Sequence, residues 1–172
     1  MENQIYLIKI GNAEINLKIL YEDNHLLVVV KKPNVPVCED DSHDLDLLTS
    51  LKQYLKEKYH KLGNVYLGLV HRLDRPVSGV MVFAKTSKAA SRLSEQVRRN
   101  EFKKEYTAVV MGKVAVSGQY EDKLLKNSKT NITQVDEKGK LSILEYELLK
   151  YDQKSDYSLV KINLKTGRSH QI

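Results

Sequence analysis

The order of apolar and polar residues along the chain predicts several short strands and two helices. Apolar-rich segments at residues 5–10 and 15–20 flank the tetrapeptide GNAE, which predicts an opening β-hairpin. Further strands are predicted at residues 26–30, 80–84, 101–110, 141–149 and 158–164. The run at 26–30 is expected to end at the polar triplet Lys31-Lys32-Pro33, and residues 35–46 are expected to form a loop.

Two segments have the spacing of an amphipathic helix. Apolar side chains recur every three to four residues from residue 46 to about 60, at Leu48, Leu51, Leu55 and Tyr59. A second helix is expected to begin at an N-cap, Ser87, and to end near residue 100. Its apolar positions are Ala90, Leu93 and Val97. Because strands outnumber helices and do not alternate regularly with them, we predict an α+β fold: a mostly antiparallel mixed sheet flanked by helices.

Length and composition predict an ordinary globular protein. The chain has 172 residues, of which 41% are hydrophobic and 29% charged, so we expect residues 1–172 to form a single domain. No apolar run exceeds five residues, which is too short to cross a bilayer, and the amino terminus has no secretion signal. The single cysteine, Cys38, cannot form an internal disulfide. These features predict a cytoplasmic protein with no membrane partner.

The net charge is +6, and the charges are unevenly distributed. The segment from Lys85 to Tyr106 contains seven basic residues and three acidic ones. Residues 39–46, by contrast, contain five acidic residues and no lysine or arginine. The seven are Lys85, Lys88, Arg92, Arg98, Arg99, Lys103 and Lys104. Such a basic stripe suits a polyanion, either nucleic acid or a membrane surface, but a solvated helix face has the same composition. Charge alone does not decide between them.

The stretch GLVHRLDRPVSG, residues 68–79, concentrates charged side chains directly before an apolar run. Pro76 disfavours a helical conformation of Arg75, so the segment HRLDR is expected to be extended. Arg72 and Asp74 would then share one face. The other face would carry His71, Leu73 and Arg75. A carboxylate beside a guanidinium suits a nucleophile or general base next to an anion contact. The alternative is that Asp74 caps a turn and pairs with Arg75.

Four ordered blocks resemble those of the RluA-type pseudouridine synthases. GLVHRLDRPVSGVMVFAKT is similar to the signature of that family, ILYEDNHLLVVVKKPNVPV to its upstream block, and FKKEYTAVVMG to its central K-x-Y block. LKTGRSHQI is similar to its later T-G-R-x-H-Q-I-R block. The four blocks are spread from Ile19 to Ile172 in the order that the family has. Chance agreement does not explain a match of this extent, as it could for a single motif.

The chain departs from the family pattern in two places. Pro76-Val77 replaces the acidic residue and threonine that many members have, and this leaves every charged position intact. The sequence also stops at Ile172, inside the last block. We therefore expect a pseudouridine synthase catalytic domain that is incomplete at its C-terminal end, without a separate N-terminal RNA-binding module.

The resemblance implies isomerisation of uridine to pseudouridine in structured RNA, with ribosomal or transfer RNA as the partner. That reaction needs neither a metal nor an organic cofactor, and the sequence contains no P-loop, Rossmann fingerprint or Cys-x-x-Cys pair. His71, Asp74 and His170 could be read as metal ligands, but they lack the spacing of a ligand cluster. We expect no cofactor, no metal and a monomeric protein.

The resemblance also assigns roles to individual residues. Asp74 matches the catalytic aspartate, which acts on the sugar or the base, and Arg168 matches the basic residue that pairs with it. Tyr106 matches a tyrosine that stacks on the target base or takes a proton, and Arg72 a residue that enters the RNA stack when uridine flips out. His71 and Arg75 are further candidates for substrate binding. From the residues alone, the alternatives are a core tyrosine for Tyr106 and a solvent-exposed turn residue for Arg168.

Two other functions compete with this interpretation. A non-catalytic RNA-binding module would keep the basic stripe and lack turnover. An aspartate-dependent hydrolase is less compatible, because a phosphatase of that kind needs a second aspartate where Pro76 stands. A glycosidase needs a second carboxylate within about 10 Å, and nothing near the motif suggests one.

Overall fold

The computed structural model describes residues 4–10 and 13–172, with side chains from residue 17 onward. It divides into two compact units, Met1–Arg99 and Asn100–Ile172. In each unit the described residues form a five-stranded sheet in which every neighbouring pair of strands is antiparallel. Together with two helices, these sheets confirm the α+β fold class. The expectation of a single domain stays a prediction.

The first unit contains five strands and both helices. Its strands lie in the order β1-β2-β3-β5-β4. Their bounds are β1 Gln4–Ile10, β2 Ala13–Glu22, β3 Leu26–Lys31, β4 Gly68–Leu69 and β5 Gly79–Ala84. The helices are α1 Leu47–Lys58 and α2 Ser87–Arg98. The predicted opening hairpin is confirmed as the antiparallel pair β1–β2, although part of its turn, residues 11 and 12, lies outside the described residues.

The core of the first unit lies between the central strands and α1. Leu27 and Val29 of β3 and Phe83 of β5 are fully buried, because alternate residues of a strand point to the same face. Leu51 and Leu55 of α1 cover them. Burial of this kind contributes roughly 1.5–3 kcal/mol for each large apolar side chain, so this cluster is the main source of stability in the unit.

Helix α1 begins close to the predicted start, directly after residue 46, and ends slightly earlier than expected. Asp46 has an extended backbone conformation, and its side chain accepts a hydrogen bond from the Thr49 amide at 2.9 Å. This is the geometry of an N-cap. The prediction that Tyr59 belongs to the buried face is wrong. The helix ends at Lys58, so Tyr59 leaves that face and is 45% exposed, while Tyr54 points inward.

Helix α2 starts one residue earlier than predicted. The N-cap is Thr86, not Ser87, because Thr86 has the extended backbone and its hydroxyl accepts from the Ala89 amide at 3.2 Å. The predicted apolar positions Leu93 and Val97 are only half-buried, and no residue of this helix is fully buried.

The second unit is a sheet in the order β6-β10-β9-β7-β8. The bounds are β6 Glu105–Met111, β7 Ser117–Asn127, β8 Ile132–Val135, β9 Lys140–Asp152 and β10 Tyr157–Leu164. Its small core consists of Val160, Ile162 and Leu164, against which alternate residues of β6 pack. The predicted alternation of β6 is confirmed, but the strand begins at Glu105 and not at residue 101.

One polar side chain occupies an unexpected place in the first sheet. The sequence predicts that the lysine pair ends the third strand, yet Lys31 is the last residue of β3 and its side chain is fully buried. The alternation of β3 explains this, because Lys31 follows Leu27 and Val29 on the inward face. The following Lys32 is exposed.

Candidate active site

The segment that carries Asp74 is an anchored loop between β4 and β5 in the first unit. The segment HRLDR, predicted to be extended, is not part of a strand and runs into a turn at its last residue, Arg75. The Val77 amide donates to the Asp74 carbonyl at 3.1 Å, which closes a turn over Arg75 and Pro76. A turn of this kind places proline where no backbone N–H is needed. Asp74 therefore stands at the entrance of a turn and not within a strand.

The residues before Asp74 are held by the sheet. The Nε2 atom of His71 accepts a hydrogen bond from the Val82 amide of β5 at 3.1 Å. Burial lowers the pKa of His71 below its usual 6.5, which keeps the imidazole neutral at pH 7 and able to accept this bond. Leu73 packs against the core, where its Cδ1 atom would be 3.2 Å from a Cβ added at Gly79. The chain is thus fixed on the N-terminal side of Asp74.

The residues after Asp74 are held by the buried lysine of β3. The ammonium of Lys31 donates to the carbonyls of Arg75 at 2.9 Å, Val77 at 2.6 Å and Lys32 at 3.1 Å. Burial lowers the pKa of Lys31, while the nearby carboxylate of Asp74 raises it and the guanidinium of Arg75 lowers it. A cation therefore lies under the turn and acts electrostatically on Asp74.

Arg75 pairs with the acidic loop of residues 39–46. Its guanidinium donates to the Ser42 hydroxyl at 2.8 Å, to Asp40 at 3.4 Å and to Asp44. The alternative pairing of Arg75 with Asp74 is not among these contacts. The ion pairs are 40–52% exposed, so solvent screens them and they contribute little to stability.

Asp74 and Arg72 differ in their exposure. Asp74 is half-buried, and Arg72 is exposed. A half-buried carboxylate keeps access to solvent and to a ligand while the surrounding protein restricts its orientation. The guanidinium of Arg72, two residues earlier in the chain, is accessible to a polyanion.

The two remaining candidates lie in the second unit. Tyr106 on β6 pairs with Ile162 on β10 and is partly buried on the core of that sheet. Arg168 follows β10 in an exposed loop, where its Nε atom donates to the Leu141 carbonyl at 2.8 Å and its amide to the Gln171 side chain at 2.9 Å. Pairing between Arg168 and Asp74 stays a prediction, as does a role of Tyr106 at the base.

Lys104 is a further candidate that the sequence placed only within the basic stripe. Burial lowers the pKa of this lysine, and the guanidinium of Arg168 lowers it further. A Cβ added at Gly167 would lie 3.2 Å from its Nζ atom. Two cations of the second unit therefore act on each other electrostatically, and a bound anion would reduce their repulsion. The position of Lys104 in the K-x-Y block was the available signal.

The basic stripe is smaller in the structure than in the sequence. Lys85 is not available to a phosphate, because its ammonium donates to Glu22 at 2.8 Å and to the Asp23 carbonyl at 2.5 Å, and its side chain is 10% exposed. Arg98 and Arg99 both pair with Glu95. Lys88, Arg92 and Lys103 are exposed.

The described residues form neither a metal-site cluster nor a membrane-spanning helix. No group of three or more histidine, cysteine, aspartate or glutamate residues in residues 4–10 and 13–172 has the arrangement of a metal site. Neither helix in the described part of the chain has the length and hydropathy needed to span a membrane. The expectation that the protein needs no cofactor stays a prediction.

Comparison with known proteins places these residues in a family. The chain is 36% identical over 161 residues to ribosomal large subunit pseudouridine synthase C of Buchnera aphidicola subsp. Baizongia pistaciae, a match that covers 91% of this chain and 49% of that protein. It is 34% identical to ribosomal large subunit pseudouridine synthase D of Yersinia pestis, over 92% of this chain and 48% of the other. The chain spans about half the length of these curated relatives.

Solved structures share the fold. Human RNA pseudouridylate synthase domain containing 4 superposes with a TM-score of 0.73 at 23% identity, covering 89% of this chain and 60% of that one. Human RNA pseudouridylate synthase domain containing 1 gives 0.72 at 22% identity, covering 91% and 62%. The family model described as RNA pseudouridylate synthase matches residues 25–172, which include all six predicted site residues. The chain therefore belongs to the RNA pseudouridylate synthase family, as its resemblance to the RluA-type enzymes predicted.

Proposed function

We propose that this chain isomerises uridine to pseudouridine in structured RNA, with Asp74 as the catalytic residue. The N1–C1′ glycosidic bond breaks, the uracil turns, and C5 bonds to C1′. The hydrogen on C5 then leaves to solvent and N1 takes up a proton, so that product and substrate have the same composition. The observation that supports this most is the half-buried Asp74 at a turn anchored on both sides, within the matched family region.

Asp74 acts only if it is ionised when the target nucleotide covers it. Burial of a carboxylate disfavours its charged form, so nearby positive charge is required. Lys31 supplies positive charge within the same unit. We propose that Arg168 supplies a second cation when RNA is bound, with Lys104 beside it.

The other residues would bind and orient the RNA. Arg72, exposed beside Asp74, would fill the space that the uridine leaves when it flips out, since a guanidinium plane stacks on bases. Tyr106 would stack on the everted uracil or take a proton from it. Arg75 and His71 lie on either side of Asp74, and we propose that they contribute to substrate binding by shaping this loop.

We propose large-subunit ribosomal RNA as the substrate, because the relatives named above carry that description. Transfer RNA is the alternative, and an in vitro comparison of the two transcripts decides between them. A cytoplasmic location and a monomeric state accompany this proposal.

The test is tritium release from RNA labelled at C5 of uridine. Asp74→Asn should lower kcat by at least about 10⁴-fold, since it removes the reacting group and keeps the shape of the side chain. Asp41→Asn, the same substitution at an exposed position of the acidic loop, should leave kcat within about two-fold.

The outcomes separate the competing functions. Tight RNA binding without tritium release at any protein concentration would favour a non-catalytic RNA-binding module. Release that persists in Asp74→Asn would exclude Asp74 as the catalytic residue. Release of free uracil in place of pseudouridine would indicate a hydrolase.

A further inference from the structure

We propose that Lys31 is a positioning residue for Asp74: its ammonium fixes the turn that carries the carboxylate and places a positive charge beneath it. This inference rests on the proposed function of Asp74. It concerns a side chain that takes no part in the bond-breaking or bond-forming steps proposed above.

The position of Lys31 in the sheet directs it to this turn. Lys31 ends β3 and lies opposite Gly79, the first residue of β5. The loop that carries Asp74 leads directly into Gly79. A side chain that points inward at this end of the ladder therefore meets the backbone of the loop and not the middle of the apolar core.

The hydrogen bonds of Lys31 use its full donor capacity. An ammonium has three N–H groups, and all three acceptors are backbone carbonyls, those of Lys32, Arg75 and Val77. The Arg75 and Val77 carbonyls flank Pro76. Bonds to a charged donor are stronger than neutral ones, so these two hold the turn more firmly than ordinary loop contacts.

The turn has few other attachments of comparable strength. Its own closing bond runs from the Val77 amide to the Asp74 carbonyl at 3.1 Å, and the Asn34 amide donates to the Arg75 carbonyl at 2.7 Å. Without the ammonium, the partly buried Val77 carbonyl would lose its charged donor. The orientation of Asp74 at the start of the turn would then be less restricted.

Packing alone does not account for a lysine at this position. The inward positions of β3 are otherwise apolar, Leu27 and Val29, and a buried ammonium loses its hydration. An apolar side chain of the same length would avoid this cost. Positioning and charging of Asp74 explain why a lysine occupies the site.

The test compares an ammonium with a methyl group at the same place. In a Cys38→Ser background, Lys31→Cys is alkylated in denaturant with either 2-bromoethylamine or 1-bromopropane and then refolded. The first product has the length and charge of lysine, and the second has the same length and no charge. We expect the aminoethyl protein to retain kcat within about five-fold of the unmodified background, and the propyl protein to lose at least 100-fold in kcat with KM for RNA changed less than three-fold.

A second measurement reports on the turn itself. Amide hydrogen exchange at Val77 should be at least ten-fold faster in the propyl protein than in the aminoethyl protein, while exchange at Leu51 in α1 stays equal. Lys18→Met serves as the charge control, because Lys18 lies on the exposed face of β2 opposite Val30. It should alter neither kcat nor exchange at Val77.

Two results would overturn the proposal: equal kcat in the two alkylated proteins, or equal exchange at Val77. If neither product refolds, Lys31→Met takes the place of the propyl protein in both measurements, compared with the unmodified background. If that background releases no tritium, the proposed function fails and the catalytic part of this inference fails with it. The exchange at Val77 then still decides whether Lys31 holds the turn.

Discussion

Single residues around Asp74 have distinct tasks in this structure, and several tasks differ from what their types suggest. His71 is a hydrogen-bond acceptor for the sheet, Arg75 pairs with the acidic loop, and Lys31 is buried beneath the turn. Sequence motifs identified His71 and Arg75 as site residues because they stand next to Asp74. Only the structure shows that they support the loop from either side.

Arg72 gives a prediction at this scale. Arg72→Ala should lower kcat on structured RNA by about 10- to 100-fold, because flipping a base out of its stack costs a few kcal/mol and the guanidinium offsets part of that cost. Arg72→Lys keeps the charge without the planar group and should recover less than half of the lost activation free energy. Tritium release under saturating RNA measures both.

A second RNA checks the reason for the loss. When the target uridine is placed in an unpaired, unstacked context, Arg72→Ala should lose less than about three-fold, because little flipping cost remains. An equal loss on both RNAs would contradict a role in base flipping and indicate a role in the chemical step.

At the scale of elements, strands and helices are connected by polar contacts as well as by the core. The carboxylate of Glu22, at the end of β2, is 8% exposed. It accepts hydrogen bonds from Tyr54 and Lys58 of α1, from Tyr59 just after that helix and from Lys85 just after β5, all at 2.7–2.9 Å. Burial alone would raise the pKa of Glu22, but the hydrogen bonds from Lys85, Lys58, Tyr59 and Tyr54 together lower it to about 2.

This cluster gives a prediction of stability against pH. The pKa of Glu22 is about 2 in the folded protein and 4.5 in the unfolded chain. The contribution of this carboxylate to stability is therefore present above pH 4.5 and is lost as the pH falls toward 2. Glu22→Gln should lower the free energy of unfolding by about 2–3 kcal/mol at pH 7, and the difference from the unsubstituted protein should shrink between pH 4.5 and 2. Urea unfolding followed by circular dichroism measures this.

The control for Glu22 is Glu57→Gln. Glu57 lies on the exposed face of α1 and should change the free energy of unfolding by less than about 0.5 kcal/mol at any pH. A Glu22→Gln difference that stays constant from pH 7 to pH 2 would show that the carboxylate charge does not stabilise this cluster.

The elements also show which sequence signals are reliable. Strands with apolar alternation or runs, such as β3, β5 and β10, were predicted, because one or both of their faces are buried. Strands β7 and β8 were missed. Their residues are mostly exposed, so their sequences carry no apolar period. Pairing makes them strands, since β7 pairs with β9 and β8 pairs with β7.

For the whole molecule, the net charge of +6 matters through the cations that remain exposed. Lys88 and Arg92 of α2 are exposed, whereas Lys85 is paired with Glu22. If these two cations contact phosphates, the substitutions Lys88→Gln and Arg92→Gln together should reduce the slope of log K against log salt by roughly 1.5, because each lost phosphate contact removes about 0.7–0.9 from it. Filter binding at several salt concentrations measures the slope.

The matched control removes the same charge from another surface. Lys52→Gln and Lys56→Gln on α1 should lower the affinity slightly through net charge and change the slope by less than about 0.3. Equal slopes for the two double variants would contradict an RNA-binding face on α2.

The sequence alone determined the α+β class, most of the strands, the amphipathic helix α1 and the family, because these depend on local periodicity and on motifs that are read residue by residue. The same motif identified Asp74 without any structure. Only the tertiary structure decided how that residue is held. The end of β3 meets a loop more than 40 residues later in the chain, and three backbone carbonyls bind the ammonium of a lysine that the sequence places only at the end of a strand. Such contacts depend on which strands are neighbours in space, and local sequence does not encode that adjacency.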